Sequence, residues 1–313
     1  MSAPHDPSPE LRLEADGRLH LALARLGARP IKQVALVNPG TEDLFAVDVE
    51  VALTPGGAAP WRGRIDCVRA GTTHHLDDVD LVLDAGLLAG LTETTPATLR
   101  ATARCEGGEV VAFERGVDLV PPDEWPGLAI LPELLAAFVR PDDPAVSDIL
   151  VRAQRHLEHA GFGPAFSGYG ARDARRVSGQ AAAILRAVQE LAIERRPTGA
   201  GVWRRGLPIA APSALFELRA GTALDLALLY AAALERIGLH PLVVLASDDV
   251  SVGAWTAAET FAEAAVEDGL RVRKRVDLEE IELIDAAVLG ADARGDHEAG
   301  CRAARARLET LDD

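Results

Sequence analysis

Up to about Pro121 the chain alternates apolar and polar residues with the two-residue period of a strand. The segments are short: Gln33 to Val37, Phe45 to Leu53, Val79 to Leu83, Thr98 to Arg104 and Val110 to Val120. Turn signals separate them, among them Asn38-Pro39-Gly40, Thr54-Pro55-Gly56-Gly57 and Glu106-Gly107-Gly108. In the second segment Phe45, Val47, Val49, Val51 and Leu53 fall on one face, while Ala46, Asp48, Glu50 and Ala52 fall on the other. That pattern predicts a strand of a β-sandwich with one face in the core and one in water.

Beyond Pro121 the period changes. Leu131 to Val139, Pro144 to His159, Ala174 to Ile193 and Thr222 to Ile237 carry apolar residues three and four apart, with stops at Gly161, Pro197 and Gly238. Two apolar runs suited to strands follow, Pro241 to Ala246 and Glu280 to Val288. Helices followed by strands predict an α+β domain, so the chain divides into a sandwich over residues 1–122 and an α+β domain over 123–313. Within the latter, Thr222 is a natural N-cap and Asp225 sits in the first turn, where a carboxylate is favoured. The helix they open is apolar nearly all round and predicts burial on every side.

Composition narrows the classes of function. The 313 residues are 48% hydrophobic but only 4% aromatic, which predicts a globular protein with cores of small aliphatic side chains. A net charge of −16 argues against general electrostatic attraction to a nucleic-acid backbone, though it leaves room for a local basic patch. Cys67, Cys105 and Cys301 lack metal-ligand spacing, so neither a disulfide framework, a metal site nor a cofactor is expected. The start MSAPHDPSPE is polar and proline-rich, and no apolar run approaches the ~20 residues of a membrane span, so a cytoplasmic protein is predicted.

Four motifs together carry a resemblance. They are DEWPGLAILPELLAAFVRPDDPAV from Asp123, SGYG from Ser167, GTALDLALLYAAALERIGLHPLVVL from Gly221 and VGAW from Val252. In order and spacing they resemble the N-terminal region of large bacterial helicase-nuclease proteins of antiphage defence, in which an immunoglobulin-like sandwich precedes a transglutaminase-like, papain-like thiol-enzyme domain. The motor of those relatives has no counterpart here, since no GxxxxGK[ST] phosphate loop occurs.

The resemblance assigns three catalytic places. The nucleophilic Cys would open the helix after Gly221-Thr222, where unpaired N–H groups favour a thiolate, but Ala223 stands there. The His of the family falls on Asp249, and the acid that orients it, at the opening of the last core strand, falls on Asp285. Without nucleophile and base an enzyme is not expected. The implied function is a catalytically inactive binding or scaffold module. Its old cleft, with Thr222, Asp225, Tyr169, Trp255 and His240 as binding candidates, would take a peptide or a protein partner such as a helicase, nuclease or ATPase. Two alternatives stay open: a thiol peptidase or transglutaminase whose Cys is replaced at Ala223, and a nucleic-acid-associated accessory domain of a helicase system.

Other residues have bland readings beside sharper ones. His74-His75 in a sandwich turn, followed by Asp77 and Asp78, reads as a solvated loop rather than a metal site. His156 and His159 belong to an amphipathic helix, and His240 in GLHP to loop packing. Arg271 to Arg275 alternates like a charged strand edge and could touch nucleic acid, as could Arg204-Arg205. Ser247 and Ser251 have no His to serve as base. Cys301, with His297 four residues before it on a predicted helix, is a remote replacement nucleophile.

Overall fold

The computed structural model describes residues 8–26, 29–105, 108, 110–128, 132–199, 203, 206–246, 249–293 and 295–310. Arg204, Arg205, Ser247 and Asp248 lie outside them. By contact the chain divides into two units, Met1–Pro126 and Gly127–Asp313. The whole is a mixed α+β architecture with several sheets.

The first unit is mostly β. Its strands are β1 (Glu10–Ala15), β2 (Arg18–His20), β3 (Ile31–Asn38), β4 (Leu44–Thr54), β5 (Trp61–Val68), β6 (Thr72–Leu76), β7 (Thr95–Arg104), β8 (Val110–Val120) and β9 (Glu124–Trp125), with short helices α1 (Leu21–Leu26) and α2 (Ala85–Ala89) between them. One sheet has the order β1-β3-β6 and the other β2-β8-β7-β4-β5, with β1 lying against β7 and β8. The pairs are antiparallel except β2 with β8. Val47, Val49, Val51 and Leu53 of β4 are buried beside Leu99, Ala101 and Ala103 of β7, as alternation requires. Phe45 is an exception: Ala46 takes a positive φ of 51°, and Phe45 turns out to solvent.

Several expectations are corrected here. Val79 to Leu83 is no strand. Val79, Leu81 and Leu83 bury every second side chain, but the segment makes only an isolated bridge from Leu83 to Ala58, so its alternation reflects a loop pressed on a core. His74 and His75 sit in β6, paired with Leu36 and Ala35, rather than in a turn. Strands β1 and β5 were not predicted. Charged residues fill the exposed face of each, yet the burial of β1 alternates strictly.

In the second unit a 3₁₀ helix at Pro132–Phe138 replaces the predicted helix from Leu131. It leads to α3 (Pro144–His159), α4 (Ala174–Gln189), β10 (Glu194–Arg196), β11 (Leu207–Pro208), α5 (Pro212–Leu218), β12 (Ala220–Thr222), α6 (Ala223–Arg236), β13 (Pro241–Ala246), β14 (Asp249–Trp255), α7 (Gly269–Asp277), β15 (Ile281–Asp285) and α8 (His297–Glu309). The helix α6 is the hub. Every residue from Leu224 to Leu234 is buried, with α3 and α4 on some sides and β13 and β14 on another. Each buried Leu contributes about 2 kcal/mol. The sheet β13-β14-β15 is antiparallel, and α8 runs along its β15 edge.

Three further corrections concern this unit. The helix α4 ends at Gln189, well before Pro197, and the chain bends into β10. Asp285 closes β15 instead of opening a strand, and the following Ala286–Leu289 is a 3₁₀ turn that Asp285 caps. Arg271 to Arg275 is helical. Asp268 accepts from the N–H groups of Leu270 and Arg271 at 3.0 and 3.3 Å, and Val272 and Val276, one helical turn apart, enter the core formed by Trp255, Ile281 and Leu283. Alternating charge hid this turn, because the decisive apolar pair is four residues apart rather than two.

Two predictions follow from packing and burial. A Cβ on Gly253 would overlap the carbonyl oxygen of Glu282 on the paired strand, whereas one on Gly116 of β8 meets nothing. Gly253→Ala should therefore cost on the order of 3 kcal/mol in denaturant unfolding, and Gly116→Ala within about 0.5 kcal/mol of nothing beyond strand propensity. His20 is buried, its Nδ1 accepts from the Ala22 N–H at 3.0 Å, and burial pushes its pKa down against the pull of the Pro122 and Pro121 carbonyls. A base held neutral in the fold gives stability that is complete above the ordinary imidazole value of about 6.5 and is lost as pH falls through it. The thermal midpoint should drop between about pH 7.5 and pH 5.5, and His20→Gln should flatten part of that slope.

Candidate functional site

The three places assigned by resemblance occupy distinct structural positions. Ala223 is the first residue of α6, half-buried. Its N-terminal end is closed by a capping box: Thr222 Oγ1 accepts from the Asp225 N–H at 3.1 Å, while Asp225 Oδ2 accepts from the Thr222 N–H and hydroxyl, both at 2.8 Å. The other oxygen of Asp225 accepts from the Ala210 N–H at 2.8 Å. Thr222 and Asp225 are therefore committed to ordering the helix start and its surrounding loop. The buried carboxylate also offsets the positive end of the helix, the feature that would activate a thiol at position 223.

Asp249 and Asp285 converge on Arg307, a residue that no sequence pattern singles out. Arg307 of α8 donates to Asp285 Oδ2 from both Nε and a terminal nitrogen at 2.7 Å, and its other terminal nitrogen pairs with Asp249. The second oxygen of Asp285 caps the Ala287 N–H at 2.8 Å. Strand register explains the meeting, since Ser251, two residues after Asp249, faces Asp285 across β14 and β15. Burial and the nearby charge of Arg195 both lower the pKa of Arg307. Arg195 lies opposite Gly221 in the parallel pair of β10 with β12. A chain of neighbours thus connects the start of α6 to Arg195, to Arg307 and to both acids.

At the three places themselves, among the described residues, stand a methyl group and two carboxylates held by Arg307, with neither a thiol nor an imidazole. A guanidinium stays charged and only donates, so Arg307 cannot take a proton from an attacking group. Asp285 would orient an imidazole in a thiol enzyme, but here both of its oxygens are engaged by Arg307 and a helical turn.

Tyr169, His240 and Trp255 form a separate group. Asp249 and Trp255 are the two ends of a seven-residue strand, about 20 Å apart at ~3.3 Å per residue. The Tyr169 hydroxyl donates to the Trp255 carbonyl at 2.9 Å and accepts from the His240 N–H at 3.0 Å, while its ring meets His240 edge-on at 5.2 Å. His240 Nδ1 is hydrogen-bonded to the Glu259 carbonyl at 2.8 Å. Trp255 is buried against Phe261. This corrects their assignment to the same cleft as Ala223: they lock the far end of the sheet to the SGYG turn. Gly168 in that turn has a φ of +52° and lies so close to the Ile237 carbonyl that a side chain would collide with it. Gln180, fully buried, accepts from the Ser167 and Gly168 N–H groups at 2.7 and 3.1 Å.

The other candidates resolve individually. Arg271 pairs with Glu263, Arg273 with Asp277 and Arg275 with Glu280, so the basic run is largely neutralised within its own surface. His156 Nε2 meets Glu190 at 2.9 Å, while His159 Nδ1 meets the Arg155 carbonyl at 2.6 Å, and the two rings serve different partners. Cys301 Sγ is 3.8 Å from His297 Nδ1, but burial and the Glu282 charge push its thiol up to about 12, the reverse of an activated nucleophile. No helix among the described residues is long and apolar enough to cross a membrane.

No family model matches the sequence. No curated protein matches it either.

Removing Arg307 should leave the buried Asp285 short of its charged partner. Arg307→Ala is expected to cost about 1–3 kcal/mol in denaturant unfolding. Asp249→Ala, whose side chain is 49% exposed, should cost under about 1 kcal/mol. The double variant Arg307→Ala, Asp285→Asn should be more stable than Arg307→Ala alone, and a strictly additive result would show that the pair is not coupled.

Proposed function

We propose that this chain is a non-catalytic binding or scaffold module of transglutaminase-like ancestry, preceded by an immunoglobulin-like sandwich. One observation carries the reading: Arg307 joins Asp249 and Asp285, the places of the base and of its orienting acid, while a methyl group stands at the place of the nucleophile. Losing the thiol alone would leave a site one substitution from activity. Here the remaining groups have been tied into an ion-pair network that needs no substrate, which supports a surface kept for recognition. The resemblance extends the proposal to a cytoplasmic antiviral system, with a helicase, nuclease or ATPase as partner and the half-buried surface at Ala223 as the face that receives a peptide or protein segment. The pairing of Arg271, Arg273 and Arg275 disfavours nucleic acid as the direct ligand.

Turnover of amide substrates tests this reading. The unmodified chain should show no transglutaminase, deamidase or peptidase activity. Ala223→Cys alone should add almost none, because the new thiol gains no imidazole base and Asp249 is held by Arg307. Recovery should need Asp249→His and the removal of Arg307 as well. A photo-crosslinking side chain at position 223, introduced in the native cell, should capture one protein reproducibly. Robust turnover by the unmodified chain that survives Cys301→Ser would overturn the proposal.

A further inference from the structure

At the other end of β15 and α8, three potential metal ligands lie together. Glu282 is the second residue of β15, and His297 and Cys301 are four apart on one face of α8. One ligand atom from each lies within 4.8 Å of the other two. The closest pairs are His297 Nε2 to Glu282 Oε1 at 3.3 Å and Cys301 Sγ to His297 Nδ1 at 3.8 Å. Tetrahedral zinc with ordinary Zn–S, Zn–N and Zn–O bonds separates its ligand atoms by about 3.5 Å. The two short contacts use different imidazole nitrogens, so a common centre needs one nitrogen of His297 turned to both partners, closing ligand atoms that already lie within 4.8 Å of one another.

We propose that Glu282, His297 and Cys301 bind zinc or a similarly borderline-soft divalent cation, with the fourth coordination position open to the adjoining cleft. The donor set favours this class: a thiolate selects against magnesium and calcium, and imidazole with carboxylate suits zinc or cobalt. The ligands come from a strand and a helix packed against each other, so the site is held by rigid elements rather than loops. Glu282 is already positioned, because the Ser178 hydroxyl on α4 donates to its second oxygen at 2.8 Å, leaving Oε1 toward His297. Glu282 and Cys301 line an open cleft of about 420 Å³, which gives water or a ligand atom access to the fourth position. The thiol of Cys301 must give its proton to solvent on binding, so uptake of each ion releases about one proton and strengthens as pH rises.

The i, i+4 spacing of ligands on a helix is shared with known zinc helices, but a helix alone would supply two ligands and no site. The third comes from β15, brought there by the packing of α8 along its edge. The same geometry explains why three scattered cysteines gave no sequence sign of metal: two of them take no part.

Chelator-treated protein titrated with Co2+ and Zn2+ tests the assignment. One ion should bind per chain, with a thiolate-to-cobalt charge-transfer absorption that Zn2+ abolishes by displacement. Cys301→Ser should remove the absorption, and Cys67→Ser should keep it. Ser178→Ala should weaken zinc binding by roughly 10–100-fold, as loss of an outer-sphere partner does. Circular dichroism of each variant separates loss of the site from loss of the fold, and the absorption of the intact chain needs no variant. An intact chain with no charge-transfer absorption and no saturable zinc uptake, or an absorption that persists in Cys301→Ser, would overturn the assignment.

Discussion

Burial of α6 on all sides is the constraint from which the second unit follows. A helix with no polar face from Leu224 to Leu234 must be enclosed by other elements, and α3, α4, β13 and β14 do so. Its first turn is enclosed with it, and four backbone N–H groups there would otherwise lack partners. The Thr222–Asp225 capping box is the response, with Asp225 reaching out to the Ala210 N–H to fix the neighbouring loop. In a thiol enzyme the same positive helix end would activate a nucleophile. Here the Thr222 and Asp225 N–H groups are bound within the box, and the first residue of the helix is a methyl-bearing alanine.

Electrostatics in the candidate site repeat that logic. Two carboxylates brought together by strand register would repel, and burial of Asp285 would raise the cost of its charge. Arg307 offsets both with a planar fork that serves two acids at once. An imidazole between the same acids would titrate and exchange protons. A guanidinium holds the geometry and stays charged.

Much of the fold could be read from periodicity, and the failures share a cause. Helices α3 and α6 were read to their ends because long apolar stripes and caps are local signals, and the change of period at Pro121 lies close to the division after Pro126. Val79 to Leu83 and Arg271 to Arg275 were misread because alternation over five residues fits a strand, a pressed loop or one helical turn equally well until the packing partners are known. For the site, position 223 and its cap were legible because they depend on neighbours in sequence. The grouping of Tyr169, His240 and Trp255 with Ala223 failed because those residues, although conspicuous, meet at the opposite end of β14. Arg307 was invisible: one arginine among several on a charged helix, it is defined only by partners 22 and more residues away.

Helix α8 links both charged clusters through one docking geometry. His297 stands beside Glu282 near one end of β15, and Arg307 reaches Asp285 at the other. Between them a Cβ on Gly300 would press on Ile284 and Val288, while Ala304 and Leu308 enter the core with Ile281 and Leu283. The lack of a side chain at Gly300 sets how deeply the helix seats, and the apolar pair sets its rotation. Neither charged group can be displaced far without unseating the same contacts. The residues that make α8 pack are therefore also the residues that place its two sets of polar side chains, so the ion-pair network and the Glu–His–Cys cluster depend on one apolar interface.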